Sequence, residues 1–416
     1  MGLMPGYKTT EVGVIPEDWE MKQIGDLKPF VTSGSRGWAA FYSDRGAPFI
    51  RITNLSRDSI YLDLKDLRLV NLPQDDSEGA RTQLQNGDVL ISITADVGII
   101  GYVSLNVPKP AYINQHVALV RVDSSSANSK FVSYFLASET PQRLFRALTD
   151  SGAKAGMSLT TVQKIYVALP RTKVEQEAIA EALSDADALI ESLDQLIAKK
   201  RHVKQGTMQE LLTGKTRLPG FSGEWSPRKL GDLAVLSKAG VNPSASPDAL
   251  FTHFSLPAFD AGATPVSEPG NLIGSNKFIV LQSAVLVSKL NPRIPRVWVP
   301  THIPENAVCS TEFLVLLPRE KTDRNYLAAV CLSSEFCYQM ELHATGTTGS
   351  HQRIPPLLAL AIEVTAPDEE SEQTAIVAIL SDMDAEIAAL EAKLSKARQI
   401  KQGMMHNLLT GRIRLV

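Results

Sequence analysis

The feature that most constrains this chain is a repeat of 45 residues. Val174 to Leu218 reads VEQEAIAEALSDADALIESLDQLIAKKRHVKQGTMQELLTGKTRL, and Ser371 to Leu415 reads SEQTAIVAILSDMDAEIAALEAKLSKARQIKQGMMHNLLTGRIRL. The offset is 197 residues without a gap, and 23 of the 45 positions are identical. A fixed period of this kind marks one structural unit used twice. A shorter echo precedes each copy: Trp19 and Gly25-Asp26-Leu27 return as Trp225 and Gly231-Asp232-Leu233. Between these anchors the likeness is faint. Asp88 to Ser92 resembles Ala284 to Ser288, and Ser138-Glu139 recurs as Ser334-Glu335. The layout is variable domain, constant helix, variable domain, constant helix, with expected bounds 1–173, 174–218, 219–370 and 371–416.

Both 45-residue copies have helical spacing. Apolar residues fall at Ile179, Leu183, Ala186, Ile190, Leu193 and Ile197, and again at Ile376, Leu380, Met383, Ile387, Leu390 and Leu394. Steps of four and three make a heptad seam. Acids (Glu175, Glu177, Glu181, Asp185, Asp187) crowd the first half of the first helix and bases (Lys199, Lys200, Arg201, Lys204) the second, an order that suits the helix macrodipole. Gly214 and Gly411 follow the last apolar pair as C-terminal caps. The 39 residues from Val174 to Leu212 would extend roughly 58 Å as one helix. Two matched seams of this length predict that the helices pair with each other. A pseudo-two-fold relating the copies makes the pair antiparallel, with a variable domain at either end of a rod.

The variable domains read as mixed. Strands are expected at Phe49 to Thr53, Asp88 to Thr94, Gly98 to Leu105, Val117 to Val122 and Ile165 to Leu169, with a helix from Lys130 to Ala147 restarting at Thr140-Pro141. The second domain offers Ala284 to Ser288, Arg296 to Val299, Phe313 to Leu317 and a helix from Arg324 to Leu342. The expected fold class is therefore a duplicated α/β or α+β arrangement: two globular domains joined by an antiparallel intrachain coiled coil.

Motifs for catalysis fail. Gly214-Lys215-Thr216 ends like a phosphate-binding loop, but Gln209 stands where that motif needs glycine, and a helix precedes it. Asn291-Pro292-Arg293-Ile294 begins like the Asn-Pro-Pro-aromatic tetrapeptide of amino-methyltransferases and departs at its third and fourth positions. Cys331, Cys337, His343 and His351 fit no closed zinc spacing, and the two cysteines lie on an apolar helix. No nucleophile elbow marks a Ser/His/Asp site. The reading is a binding protein without metal or catalytic residues. Cys309, Cys331 and Cys337 are too few and too odd for a disulfide framework, which points to a reducing compartment. No apolar run reaches the ~18 residues of a membrane span, and the first ten residues carry no apolar leader.

Two diverged domains on a rod suit a long polymer with two separated sites. Residues 1–173 hold 19 bases and 17 acids, and residues 219–370 hold 11 and 15. Bulk positive charge cannot drive binding, so recognition of DNA would rest on base edges and shape.

These residues resemble a known family. Thr10-Glu-Val-Gly-Val-Ile-Pro-Glu-Asp-Trp19 followed by Ile24-Gly-Asp-Leu27 is similar to the opening of the specificity subunit of type I restriction–modification enzymes. So are Glu175-Gln176, Lys204-Gln205-Gly206 and Leu211-Leu212-Thr213-Gly214-Lys215 with their second copies. Gly220 to Trp225 looks like the junction to that family's second recognition domain, and Thr347 to Ile354 is a phrase typical of such domains. Ala153 to Ser158 in the first domain departs from that phrase. The resemblance implies two target-recognition domains, each reading half of a bipartite DNA site, and a helical spacer that sets the gap. It implies no catalysis and no cofactor in this chain: two modification subunits methylate adenine with S-adenosylmethionine, and restriction subunits translocate and cleave, with Mg and ATP. It implies a prokaryotic cytoplasmic setting. The rival readings are a coiled-coil scaffold whose domains bind protein, and the recognition half of a restriction enzyme whose catalytic part is encoded elsewhere.

On this reading, base and phosphate contacts come from polar loop residues held by strands. In the first domain these are Ser33, Ser35, Arg36, Arg51, Thr53, Asn54, Asn114, Gln115, His116 and Lys154. In the second they are Lys238, His253, Lys289, Asn291, Arg293, Thr347, Thr348, Ser350, His351 and Arg353. The near-identity of the helix ends suggests that Leu211 and Leu212, with Leu408 and Leu409, dock the two modification subunits; the competing reading is that they pack locally.

Overall fold

The computed structural model describes residues 5–34, 36–73, 76–150 and 156–415. The chain divides into two compact units, one made of Met1–Asp194 and Ala392–Val416, the other of Gln195–Glu391. Two helices, Lys173–Leu212 and Glu370–Leu408, each give their first part to one unit and their last part to the other.

The first unit is built on an antiparallel sheet with strand order Phe30–Ser33, Val117–Arg121, Val89–Ser92, Ile100–Tyr102. Val89 to Ser92 and Val117 to Val120 are wholly buried, which is why they read as unbroken apolar runs rather than alternating ones. A second sheet, ordered Tyr112–Ile113, Ala47–Ile50, Arg68–Val70, Tyr42–Ser43, is parallel only between its first two strands. Two ribbons, Tyr7–Thr10 with Gly13–Pro16 and Glu20–Gln23 with Tyr166–Leu169, complete the strands of this unit among the described residues. Strand expectations hold to within a few residues, except that Ile52–Asn54 winds into a 3-10 turn. The expected Lys130–Ala147 helix is two, Ser129–Ala137 and Glu139–Asp150, broken at Ser138 just before Thr140-Pro141.

The second unit repeats the first sheet strand for strand: Ala234–Ser237, Phe313–Pro318, Val285–Ser288, Val297–Trp298. Its other sheet has five strands, Gly240–Val241, Lys277–Ile279, Ala307–Ser310, Leu250–Phe254 and Val266–Pro269. These strands are short and several are only partly buried, so most carry too little apolar pattern to be read from sequence. The helix over Arg324 to Leu342 is likewise two, broken at Ser333.

The repeated anchors have matching jobs in both units. Asp26 accepts the Gln23 N–H at 2.8 Å and Asp232 accepts the Lys229 N–H at 2.8 Å, closing one helical turn each. Gly25 and Gly231 lie so close to the Gln163 and Leu360 carbonyls that an added Cβ would come within 3.3 Å of either. Gln176 accepts the N–H of Asn128, and Gln373 that of Asp323, both residues being helix N-caps. Gly214 and Gly411 take the left-handed conformation of a C-terminal cap, at φ 70 and 67.

Within each unit the helices run antiparallel. In the first, Asp187 pairs with Lys401 at 2.5 Å and Asp194 with Arg398 at 3.0 Å. In the second, Lys200 pairs with Glu386 at 2.6 Å, Arg201 with Glu391 at 2.5 Å, and Lys204 with Asp384. Partner numbers fall from Asp187 to Asp194 in the first unit and from Lys200 to Lys204 in the second. The acid-to-base gradient along each copy therefore does more than suit the macrodipole. It sets acids of one helix against bases of the other, and parallel helices would set acid against acid. Ile179, Leu183, Leu193 and Ile197, with Ile376, Leu380, Ile387 and Leu394, are buried along the seam. Ile179 and Leu183 join the core of the first unit, and Ile376 and Leu380 that of the second.

Candidate nucleic-acid interface

In the second unit, backbone bonds hold two loops together beyond the ends of the central strands. Leu290 and Thr345 both bridge to Arg353. Ile354 N–H donates to the Lys289 carbonyl at 3.1 Å, and Lys289 N–H to the Glu312 carbonyl at 2.9 Å. Asn291, at φ 49, donates its N–H to Gln352; asparagine tolerates this left-handed backbone better than most residues. The result gathers Lys289, Asn291, Arg293 and the run Thr347–Arg353 on one surface. The Arg293 guanidinium lies over Gly349, so a side chain added there would push this flexible arginine aside. Thr348 and Ser350 hydroxyls sit 2.8 and 3.1 Å from His351 Nδ1. Arg353 donates from Nε and Nη2 to Glu312 at 3.0–3.1 Å and from Nη1 to the His351 carbonyl at 3.1 Å.

The first unit has the same backbone frame. Met157 N–H donates to the Ile93 carbonyl at 2.7 Å and Ile93 N–H to the His116 carbonyl at 2.9 Å. So Ala153 to Ser158 departs from the second unit's phrase in its letters while Met157 keeps the docking of Ile354. Here the side chains are different: His116 stands where Glu312 does, bonded through Nδ1 to the Thr94 hydroxyl and through Nε2 to Gln115 at 3.0 Å. Ser33 and Arg51 are drawn to the same place, because Gly34 N–H donates to Asn114 and Asn114 N–H to Ile50. Arg36 and Thr53 are exposed. Ser35 and Lys154 lie outside the described residues.

Several expected contacts need correction. Asn54 is buried; its Oδ1 accepts the Arg51 N–H at 3.0 Å and its Nδ2 donates to the Asp63 and Asp66 carbonyls at 3.0 and 3.3 Å. It closes a loop and cannot also reach a base. Asn114 is buried with its Oδ1 on the His116 N–H, setting a turn. His253 lies on the second sheet with Nδ1 2.7 Å from Glu268, and its bonds are there rather than on the loop pair. Lys238 is exposed between two strands of that region.

The four leucines are buried. Leu211 and Leu212 are 5% exposed and pack with Leu230, Leu233 and Ile376; Leu408 and Leu409 are 4% and 2% exposed and pack with Trp19 and Ile24. Each pair packs into the core of its own unit, as the competing local reading expects, and little of it is exposed. Cys331 is buried on its helix and Cys309 on a strand, where burial pushes the Cys309 thiol up to about 12.

Sequence reasoning missed a matched pair of buried carboxylates. Glu175 is bound by Arg414, which also holds Asp18 at 2.9 Å, and Glu372 is bound by Arg217 at 2.8 and 2.9 Å. The Trp225 indole N–H adds a bond to Glu372 at 3.2 Å. The signal was present: both acids and both arginines keep the 197-residue offset. Glu312 had no such signal.

Residues 16–199 match the family model described as the type I restriction modification DNA specificity domain. The MjaX type I restriction enzyme specificity subunit of Methanocaldococcus jannaschii is 28% identical over 212 residues, covering 50% of this chain and 48% of that protein. That match thus spans about half the relative's length. The MjaVIII specificity subunit of the same organism is 22% identical across 96% of this chain and 94% of its own. Among solved structures, the type I restriction–modification S subunit from M. genitalium superposes with TM-score 0.58 at 14% identity, covering 98% of each chain. A chain from work on complex assembly and conformational transition of the type I R-M system gives TM-score 0.56 at 16% identity, covering 96% of this chain and 99% of that one. At such identities these likenesses establish the fold. Among the described residues, no helix is long and apolar enough to cross a membrane.

Proposed function

We propose, from the family model matched over residues 16–199 and the two similar curated proteins, that this chain is a specificity subunit of a type I restriction–modification system and that each unit reads one half of a bipartite double-stranded DNA target. The length of the helix pair sets the gap between the halves. The chain is not itself catalytic. Two modification subunits and the restriction subunits assemble with it and supply the chemistry that needs S-adenosylmethionine, Mg and ATP, in a prokaryotic cytoplasm.

One observation carries this reading. The same backbone frame, Ile354 on Lys289 on Glu312 and Met157 on Ile93 on His116, presents different side chains in the two units. A scaffold gripping one protein twice would keep those side chains alike. A reader of two unlike half-sites must vary them while holding the frame.

Selection of the full chain on a randomised duplex pool should recover two short fixed elements separated by a degenerate gap. Adding one heptad after Ile197 and one after Leu394 lengthens the pair by ~10 Å, about three base pairs. The expected outcome is a longer gap with both elements unchanged. New elements with an unaltered gap would overturn the reading.

A further inference from the structure

Arg353, one of the expected DNA contacts, and Glu312 lie in the loop pair of the second unit. Arginine has five N–H donors. In Arg353, Nε–H and one Nη2–H face Glu312, and one Nη1–H faces the His351 carbonyl. Two donors remain, one on each terminal nitrogen. Two such donors are the number needed for a pair of acceptors such as O6 and N7 of guanine. The side chain is 46% exposed, so that end is reachable.

Charge decides between a base and a phosphate. The carboxylate of Glu312 neutralises Arg353, and a neutral pair releases no counterion from DNA and repels a phosphate through its acid. A base edge carries no net charge and takes the fork without that penalty. Arg293 is the contrast. Among the described residues it has no acidic partner, only a weak bond to Asn291 at 3.5 Å, so its charge is available to a phosphate.

We propose that Arg353 reads a guanine in the second half-site, with Glu312 as the positioning residue that aims it, and that Arg293 beside it binds phosphate. This rests on the DNA-reading function proposed above and names the chemistry of one of its contacts. In the first unit His116 occupies the place of Glu312, which makes positions 116 and 312 specificity-determining in their own half-sites.

The test is selection and salt-dependent binding of the full chain on duplex DNA, comparing wild type with Arg353→Ala, Glu312→Gln and Arg293→Ala. The substitutions are at solvent-accessible side chains, and thermal unfolding checks that each variant folds. Arg353→Ala should lose a preference of roughly 5- to 150-fold for guanine at one position of the second half-site. It should leave the first half-site as it is. Glu312→Gln should weaken the same position, keep it recognisable, and steepen the salt slope, because the freed arginine now attracts phosphate. Arg293→Ala should weaken all sequences alike and reduce the slope by about one ion. An intact second half-site in Arg353→Ala would overturn the assignment. If wild type enriches no sequence, the DNA-reading function itself fails and this assignment with it.

Discussion

The same ion pair occurs once in each unit, in two different settings. Asp187 with Lys401 and Asp384 with Lys204 are equivalent by the 197-residue offset. In the first unit their side chains are 7% and 10% exposed; in the second they are 61% and 23%. Asp187 also accepts the Tyr134 hydroxyl at 2.7 Å, and Lys401 donates to the Asp58 carbonyl at 3.1 Å. Burial, with Asp187's charge beside it, holds the Tyr134 hydroxyl well above the ordinary tyrosine range. Tyr326, on the corresponding helix of the second unit, has a buried hydroxyl with no hydrogen-bond partner among the described residues. The repeat thus specifies which charges meet, and the variable domain decides how dry the meeting place is.

The largest consequence concerns the lysines. Lys401→Ala leaves Asp187 buried beside Tyr134 and should destabilise the first unit by about 3–5 kcal/mol. Lys204→Ala removes a pair that water already screens and should cost ~0–1 kcal/mol. Hydrogen exchange resolved by unit would show the contrast; equal losses would mean that the difference in burial has no energetic meaning.

The tyrosines should differ in sign or nearly so. Tyr134→Phe removes a donor to a buried carboxylate, at about 1–3 kcal/mol. Tyr326→Phe removes an unpaired buried hydroxyl and should be neutral or slightly stabilising. Thermal unfolding of both variants would sharpen the comparison, and a costly Tyr326→Phe would show that its hydroxyl has a partner.

The smallest effect is pH-dependent. Arg414 hydrogen-bonds Asp18 and holds its carboxyl below the ordinary range, whereas Arg217 spends the matching donor on the Gly223 carbonyl. A depressed folded pKa contributes stability above the unfolded pKa and loses it as pH falls through the folded one. Asp18→Asn should therefore cost at most about 1 kcal/mol near neutrality, since the pair is exposed. The gap from wild type should close below about pH 4. A gap that widens on acidification would contradict this assignment.

What the sequence made legible follows from physics that is local or repeated. The starts of the long helices were readable to within a residue because a heptad seam runs along them, although the expected segments 174–218 and 371–416 extend past the last helical residues, Leu212 and Leu408. The central strands were readable because Val89 to Ser92 and Val285 to Ser288 are buried on both faces. The second sheet around Leu250–Phe254 was not, because its strands are short and mixed in polarity. Asn54 misled because an asparagine that satisfies carbonyls inside a loop reads the same as one offered to a ligand. At Leu211, Leu212, Leu408 and Leu409 identity between copies is ambiguous, because a shared core position and a shared docking position look alike in sequence, and the structure buries all four in the cores. Glu312 was invisible because an acid after a strand looks solvated until Arg353, 41 residues later, is seen to fold back onto it.

The central claim is that the two units share a frame and read independently. Its most direct test exchanges residues 20–170 for the matching segment of another specificity subunit and repeats the duplex selection with the full chain. The expected result is that one half of the recovered sequence changes while the other half and the gap stay as they were. Change in both halves would contradict independent reading.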